Sequence, residues 1–266
     1  MAFSLTFSPY PEADSPVAIA PVPWDSDFFG FPFHELKCAD ASPDRVARHL
    51  PAWLAEHRQQ APLLMVTRIP PAAIAMAQAL TAVGFYPVET LLDMHFPLSR
   101  FKPIIDPPPK HLRLRRATPD DLPFVLRIAT STFSTDRFHL DPNLPSDKAD
   151  RRYASWVENV FRGQEPTYIL EDRRGPHVVG FTYIHDVGPK IFDMSLAGVD
   201  PEHLNSGAGV VLYQLMMVEC RALGYKSGVS RISINNLNAL KLSLRLGCTI
   251  RGATLVLHYF RPTGAL

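Results

Sequence analysis

Residues 101–110 read Phe-Lys-Pro-Ile-Ile-Asp-Pro-Pro-Pro-Lys, with four prolines in ten positions. Proline has no N–H to donate and a fixed φ, so this stretch cannot continue a helix or sit in a central strand. It reads as a semi-rigid linker. The 266 residues then fall into a domain over 1–100 and a domain over 111–266. At roughly 150 residues per domain, that is chain enough for one large core or two small ones. A hydrophobic share of 46% against 20% charged residues makes the chain globular. Lys and Arg number 27 and Asp and Glu 26, a net charge of +1. A general nucleic-acid binder needs a strong basic excess, so that class is excluded. Residues 1–100 carry −4 and the rest +5, a balance that suits a phosphate-bearing ligand in the second half and is equally within ordinary scatter. Cys38, Cys220 and Cys248 are far apart, with neither metal-ligand nor disulfide spacing. Neither a signal peptide nor a membrane-length apolar run is seen, so the expectation is a cytoplasmic protein with reduced thiols and no metal.

The first half opens on a Pro/Ala-rich extended arm, 1–22. Residues 24–38 are aromatic and partly alternating and read as a strand with a turn near Gly30. A helix over 43–59 is expected, capped by Ser42 with Pro43 at its first position. A strand at 63–67, an Ala-rich helix at 71–83 ended by Gly84, and a strand at 85–96 follow. In the second half, 111–116 alternates as a strand, and Thr118-Pro119-Asp120-Asp121 is a helix start. Residues 131–147 look irregular before a helix at 148–162. Strands at 168–171, 178–186 and 191–199 precede a helix at 207–223, a strand at 228–234, a helix at 239–245 and a last strand at 251–260. This order predicts a mixed α/β fold, a mostly antiparallel sheet flanked by helices. A faint repeat also shows: 79–96 and 243–260 share an outline in which Gly84 aligns with Gly247, His95 with His258 and Phe96 with Tyr259.

The stretch from Val199 to Val210, Val-Asp-Pro-Glu-His-Leu-Asn-Ser-Gly-Ala-Gly-Val, carries the most chemistry. A strand runs into a loop, and Gly207 and Gly209 bracket a helix start. The glycines admit a close ligand, while free N–H groups and the helix dipole favour an anion such as pyrophosphate. A plain tight turn is the alternative. Some thirty residues on, Asn236-Leu237-Asn238-Ala239-Leu240-Lys241-Leu242-Ser243-Leu244-Arg245-Leu246-Gly247 ends a strand in Asn and a helix in Gly.

These two stretches resemble the GNAT acyltransferases. The family loop V-x-P-x-x-[RQ]-x-x-G-x-[GA] is met by Val199, Pro201, Gly207 and Gly209. The later N-x-x-A-x-x-L-Y-x-x-x-G-F is met by Asn236, Ala239, Leu242 and Gly247. More narrowly, Trp24-Asp25-Ser26-Asp27-Phe28-Phe29-Gly30 and the stretches 137–141 and 149–159 resemble the dTDP-fucosamine acetyltransferase-like branch. In that branch a shortened GNAT-like domain precedes the catalytic one.

The resemblance implies acyl transfer from acetyl-CoA, or another acyl-CoA, to the primary amine of a small molecule, with an amino-sugar nucleotide as the narrower expectation. It implies that backbone groups at Ala197, Gly198 and Val199 face the thioester. It further implies that Leu204, Asn205, Ser206, Gly207, Ala208, Gly209 and Val210, with Asn236, hold the cofactor. His185, Asp186 and Asp193 are candidates for the base, and Arg137, Phe138 and His139 for substrate contacts. Two positions depart from the family. Leu204 stands where Arg or Gln is usual, and Ser243 stands where a Tyr protonates the leaving thiolate. Ser243 is the residue at the acid position, yet a serine hydroxyl is a far weaker acid than a phenol. Three explanations stay open: a water or another Tyr substitutes, turnover is slow, or the module only binds CoA. A protein or peptide N-acetyltransferase is a further alternative. No nucleic-acid or membrane partner is expected, and a dimer is left open.

Overall fold

The computed structural model describes residues 5–11, 15–38, 41–175 and 177–264. The first half holds β1 (Ser8–Pro9), β2 (Ala18–Pro21), α1 (Pro23–Phe29), β3 (Phe33–Lys37), α2 (Pro43–Glu56), β4 (Leu63–Ile69), α3 (Ile74–Val83) and β5 (Tyr86–Pro97). The second holds β6 (Leu112–Arg116), α4 (Leu122–Thr132), α5 (Arg137–Leu140), α6 (Ser146–Arg162), β7 (Thr167–Asp172), β8 (His177–Gly188) and β9 (Ile191–Val199). It ends with α7 (Ala208–Ala222), β10 (Ser227–Ser233), α8 (Leu237–Arg245) and β11 (Thr249–Arg261).

The chain forms two compact units. The larger is Leu92–His139 with Leu144–Gly252, and the smaller is Leu140–Asn143 with the described residues up to Leu91 and from Ala253. The division therefore cuts β5 and β11, giving each unit a last strand from the other half of the chain. Strand order in the smaller unit is β1-β2-β3-β4-β11-β5, and in the larger β5-β10-β9-β8-β7-β6. Of the registered pairs, β3 with β4 and β9 with β10 are parallel and the rest antiparallel. The smaller core joins Val46, Leu50 and Trp53 of α2 to Met65 of β4, Leu80 of α3 and Leu257 of β11. In the larger unit, one cluster sets Phe192 and Met194 of β9 against Met216 and Met217 of α7. Another sets Leu196 against Ile128 of α4 and Val157 of α6.

Several elements differ from the expectations. Residues 24–29 lie in α1, not in a strand, because Pro23 opens the helix and Gly30 closes it in the left-handed region. The aromatic residues that suggested alternation are a ring cluster, with Phe29 stacked on Phe33 at 4.9 Å. The arm is described over 5–11 and 15–22, and there β1 and β2 pair antiparallel. The 131–147 stretch contains a short helix, α5. Residues 101–110 lie inside the larger unit, where Ile104 and Ile105 donate their N–H groups to Gln214 Oε1 at 2.8 and 3.0 Å. Proline denies such a segment regular structure, but its remaining N–H groups can still be anchored by a side chain.

At one constant offset, corresponding elements coincide. Thr67 aligns with Ser230, Ile74 (the start of α3) with Leu237 (the start of α8), Leu80 with Ser243, Gly84 with Gly247, and Tyr86 (the start of β5) with Thr249 (the start of β11). The Thr67 hydroxyl donates to Leu36 O and the Ser230 hydroxyl to Met194 O, each at 2.9 Å, so the same bond ends both parallel ladders. Phe85 N–H donates to Leu80 O and Cys248 N–H to Ser243 O, at 3.0 and 3.1 Å, so both helices close by the same cap. Gly84 and Gly247 both take positive φ there.

Candidate active site

The larger unit places the expected site residues around the ladder between β9 and β10. Registered pairs run Ser227 with Ile191, Gly228 with Phe192 and Val229 with Asp193, and no further, although β9 continues to Val199 and β10 to Ser233. The Ser230 hydroxyl on Met194 O marks where the strands part. On its other edge β9 stays paired with β8, but the register slips between Tyr183 and Ile184, leaving Ser195 as the extra residue of a β-bulge. Before the bulge, Met194 packs toward α7; after it, Leu196 packs toward α4 and α6. The bulge thus bends β9 away from β10, and among the described residues one backbone edge over 195–199, including Ala197 to Val199, is left without a partner strand.

The loop after β9 is anchored on one side, by its own turns and by α4. Asp200 is buried, ion-paired to Arg127, and accepts the Glu202 N–H at 3.0 Å. Thr132 at the end of α4 donates to Val199 O at 3.2 Å. Leu204 is 58% exposed. Asn205 and Gly207 have φ of +63° and +86°, which turn the chain into α7. Ser206 Oγ accepts the Ala208 N–H at 3.3 Å. Among the described residues, no hydrogen bond takes up the N–H groups of Asn205, Gly207, Gly209 or Val210. A Cβ added at Gly207 meets nothing within 4 Å, so this face of the loop is open. Unsatisfied N–H groups at the positive end of a 15-residue helix could hold an anion such as a pyrophosphate. Gly198 is closely packed: a Cβ there would come within 3.1 Å of the Ile128 and Phe181 side chains.

Titratable groups gather at the bulge. His185 Nδ1 lies 3.2 Å from Ser195 Oγ, and its Nε2 lies 4.0 Å from Asp193 Oδ2. Tyr183 stacks on His185 at 5.5 Å. Asp193 Oδ1 is buried without a hydrogen-bond partner. Burial pushes the Asp193 carboxyl above the usual carboxylate range, partly opposed by His185 and Ser195. Arg231 on β10 pairs with Asp93 at 3.3 Å. Ser195, Asp93 and Arg231 were not among the expected residues; the bulge and the strand neighbours that bring them in depend on pairing that one sequence does not show. Asp186 is instead engaged by the Tyr225 hydroxyl at 2.6 Å.

Three expected residues have other geometric roles. Asn236 Oδ1 caps α8 by accepting the Ala239 N–H at 3.1 Å. Ser243 is fully buried with its hydroxyl unbonded, at the core position that Leu80 fills in α3. His139 has both ring nitrogens occupied, Nδ1 by Asp136 at 2.6 Å and Nε2 by Asp150 at 3.1 Å. Burial works against its charged form, but the two carboxylates outweigh that and raise its pKa. Phe138 is buried, with the Arg137 and Arg152 guanidinium groups 4.4 and 4.1 Å over its ring. Among the described residues no His/Cys/Asp/Glu group could hold a metal, and no helix is long and apolar enough to cross a membrane.

No family model matches the sequence. Solved structures are similar over nearly the whole chain. A GCN5-related N-acetyltransferase from Sphaerobacter thermophilus aligns with TM-score 0.67 and 14% identity, covering 96% of this chain and 80% of that one. One from Kribbella flavida gives TM-score 0.61 and 13% identity, covering 99% and 91%. A tandem GNAT protein from the clavulanic acid biosynthesis pathway gives 0.60 and 14%, covering 92% and 78%. The chain thus has the fold of the GCN5-related N-acetyltransferases.

Proposed function

We propose that this chain transfers an acyl group, acetyl in the first instance, from a CoA thioester to the primary amine of a small molecule. The parted β9/β10 pair, opening beside the unsatisfied N–H groups of the α7 start, is the observation that carries this reading. The free N–H groups of Asn205, Gly207, Gly209 and Val210 bind the pyrophosphate. The free edge of β9 over 195–199 holds the pantetheine arm and polarises the thioester carbonyl. Acetyl-CoA, when bound, supplies the acyl group. The amine arrives protonated and must lose a proton to attack; Asp193, with its raised affinity for protons, takes it, and His185 and Ser195 position the carboxylate. A C–N bond forms, the C–S bond breaks, the CoA sulfur leaves, and the second ammonium proton passes from the new amide nitrogen to solvent. With Ser243 in the core, that sulfur leaves as a thiolate, which its pKa near ~8.5 permits.

The finer reading is that the acceptor is an amino-sugar nucleotide held over the α5–α6 insertion, with Arg137 as its phosphate contact, and that the smaller unit is a shortened copy of the larger. The matched ladders and helix caps support the second part. Ser243 favours one rival, a module that binds CoA without turnover. Release of free thiol from acetyl-CoA, measured across amino-sugar nucleotides, simple amines and amine-terminated peptides, tests both. Acceptor-dependent release with a sugar nucleotide is expected; release with peptides alone overturns the small-molecule acceptor, and CoA binding without release for any amine leaves only the rival.

A further inference from the structure

We propose that the smaller unit holds a second ligand site, for a small uncharged apolar molecule, in the cleft at the carboxyl ends of β3 and β4. Parallel strands followed by helices leave a crevice beyond their carboxyl ends, where ligands of α/β proteins bind. In the larger unit that crevice is the CoA cleft proposed above. The smaller unit has a cavity of about 280 Å³ at the matching place, near the lower end of the roughly 300–1,000 Å³ typical of ligand pockets. Its walls include Cys38, Ala41, Pro43, Ile69, Ile74 and Met76.

The correspondence between the two units shows what has changed. Asn235, Asn236 and Asn238 of the larger unit align with Ala72, Ala73 and Ala75, all of which line the cavity. The anion site is also closed. Where α7 begins Gly-Ala-Gly with open N–H groups, α2 begins at Pro43, which has none. Ser42 Oγ takes the Arg45 N–H at 3.4 Å, and Asp44 places a negative charge in the first turn. Among the described residues no charged side chain lines the cavity, and the Cys38 thiol is hydrogen bonded to Thr67 at 3.6 Å. A cleft with the ligand-binding position of its counterpart, but with its amides and anion donors removed, selects an apolar, uncharged guest and rejects a nucleotide.

The test uses the full chain labelled with methyl-¹³C methionine, with Met76 assigned through Met76→Leu. Titration with 1-octanol should shift the Met76 methyl saturably and leave Met216 and Met217 of the larger unit unmoved. Octanoate should bind at least tenfold more weakly. The triple change Ala72→Asn, Ala73→Asn and Ala75→Asn should keep the methionine spectrum and lose octanol affinity at least tenfold. A linear, unsaturated response at Met76, equal binding of octanoate, or unchanged affinity in the triple variant overturns the proposal. Adding acetyl-CoA to the same sample reads the larger unit through Met216 and Met217, so the two sites can fail separately.

Discussion

A carboxylate with one oxygen buried and unbonded is costly to keep charged, and Asp193 is such a group. Its raised pKa means that the folded state holds the proton more tightly than the unfolded chain does. The stability this gives is present at low pH and is lost as pH rises through the raised value, so ionised Asp193 destabilises the fold at neutral pH. Asp193→Asn should therefore raise Tm by a few degrees at pH 7 while lowering kcat by about 10²-fold, with CoA affinity unchanged. Scanning calorimetry and steady-state kinetics on one preparation check this. The wild-type rate should fall on acidification at a pH above the ordinary carboxylate range. Ser243 gives the opposite expectation. Its buried hydroxyl has no partner, so Ser243→Ala should leave kcat unchanged and gain up to about 1 kcal/mol in denaturant unfolding. The sequence placed both residues in one half but could not rank them, because their roles follow from burial.

The α5–α6 insertion depends on His139 clamped between Asp136 and Asp150. Its pKa is raised, so the clamp stabilises fully below the unfolded histidine value and is lost as pH rises through the folded one. His139→Gln should cost about 1–3 kcal/mol at pH 6, through loss of the charge-assisted hydrogen bonds to Asp136 and Asp150, and clearly less at pH 9. Urea unfolding at the two pH values measures it. KM for the acceptor should stay constant, since the ring has no free nitrogen to offer. At this scale the sequence was legible wherever a local signal existed. Ser42 with Pro43, Thr118 with Asp121, and Gly84 and Gly247 mark helix ends that the structure reproduces. The misreading of 24–29 came from weighing aromatic alternation above Pro23 and Gly30, which were the stronger local evidence. The Ser195 bulge and the parting of β9 from β10 left no local trace, because both are properties of which strands pair.

For the whole molecule, the halves anticipated in the sequence do not coincide with the compact units. The Pro-rich segment suggested a boundary at 101–110, whereas the division falls within β5 and β11. A single sequence cannot show that a last strand packs with the half it did not come from. The repeat, faint over 79–96 and 243–260, extends in the structure back to the ladder ends at Thr67 and Ser230. Under the proposed function it also sets the two clefts apart, with pyrophosphate bound in one and not in the other: α7 opens with free N–H groups, while α2 opens with Pro43 and Asp44. Calorimetric titration of acetyl-CoA into the wild type and into Gly209→Asp tests this most directly. A Cβ at 209 meets only Val199 Cγ2, at 3.7 Å, an ordinary contact, so the helix start has room for the substitution's first atom, and the variant should place a negative charge at the anion site. One acetyl-CoA per chain at micromolar Kd, weakened about 100-fold or more in the variant (~2.7 kcal/mol), is the predicted result; equal affinity in the two proteins, or no binding by the wild type, would contradict it.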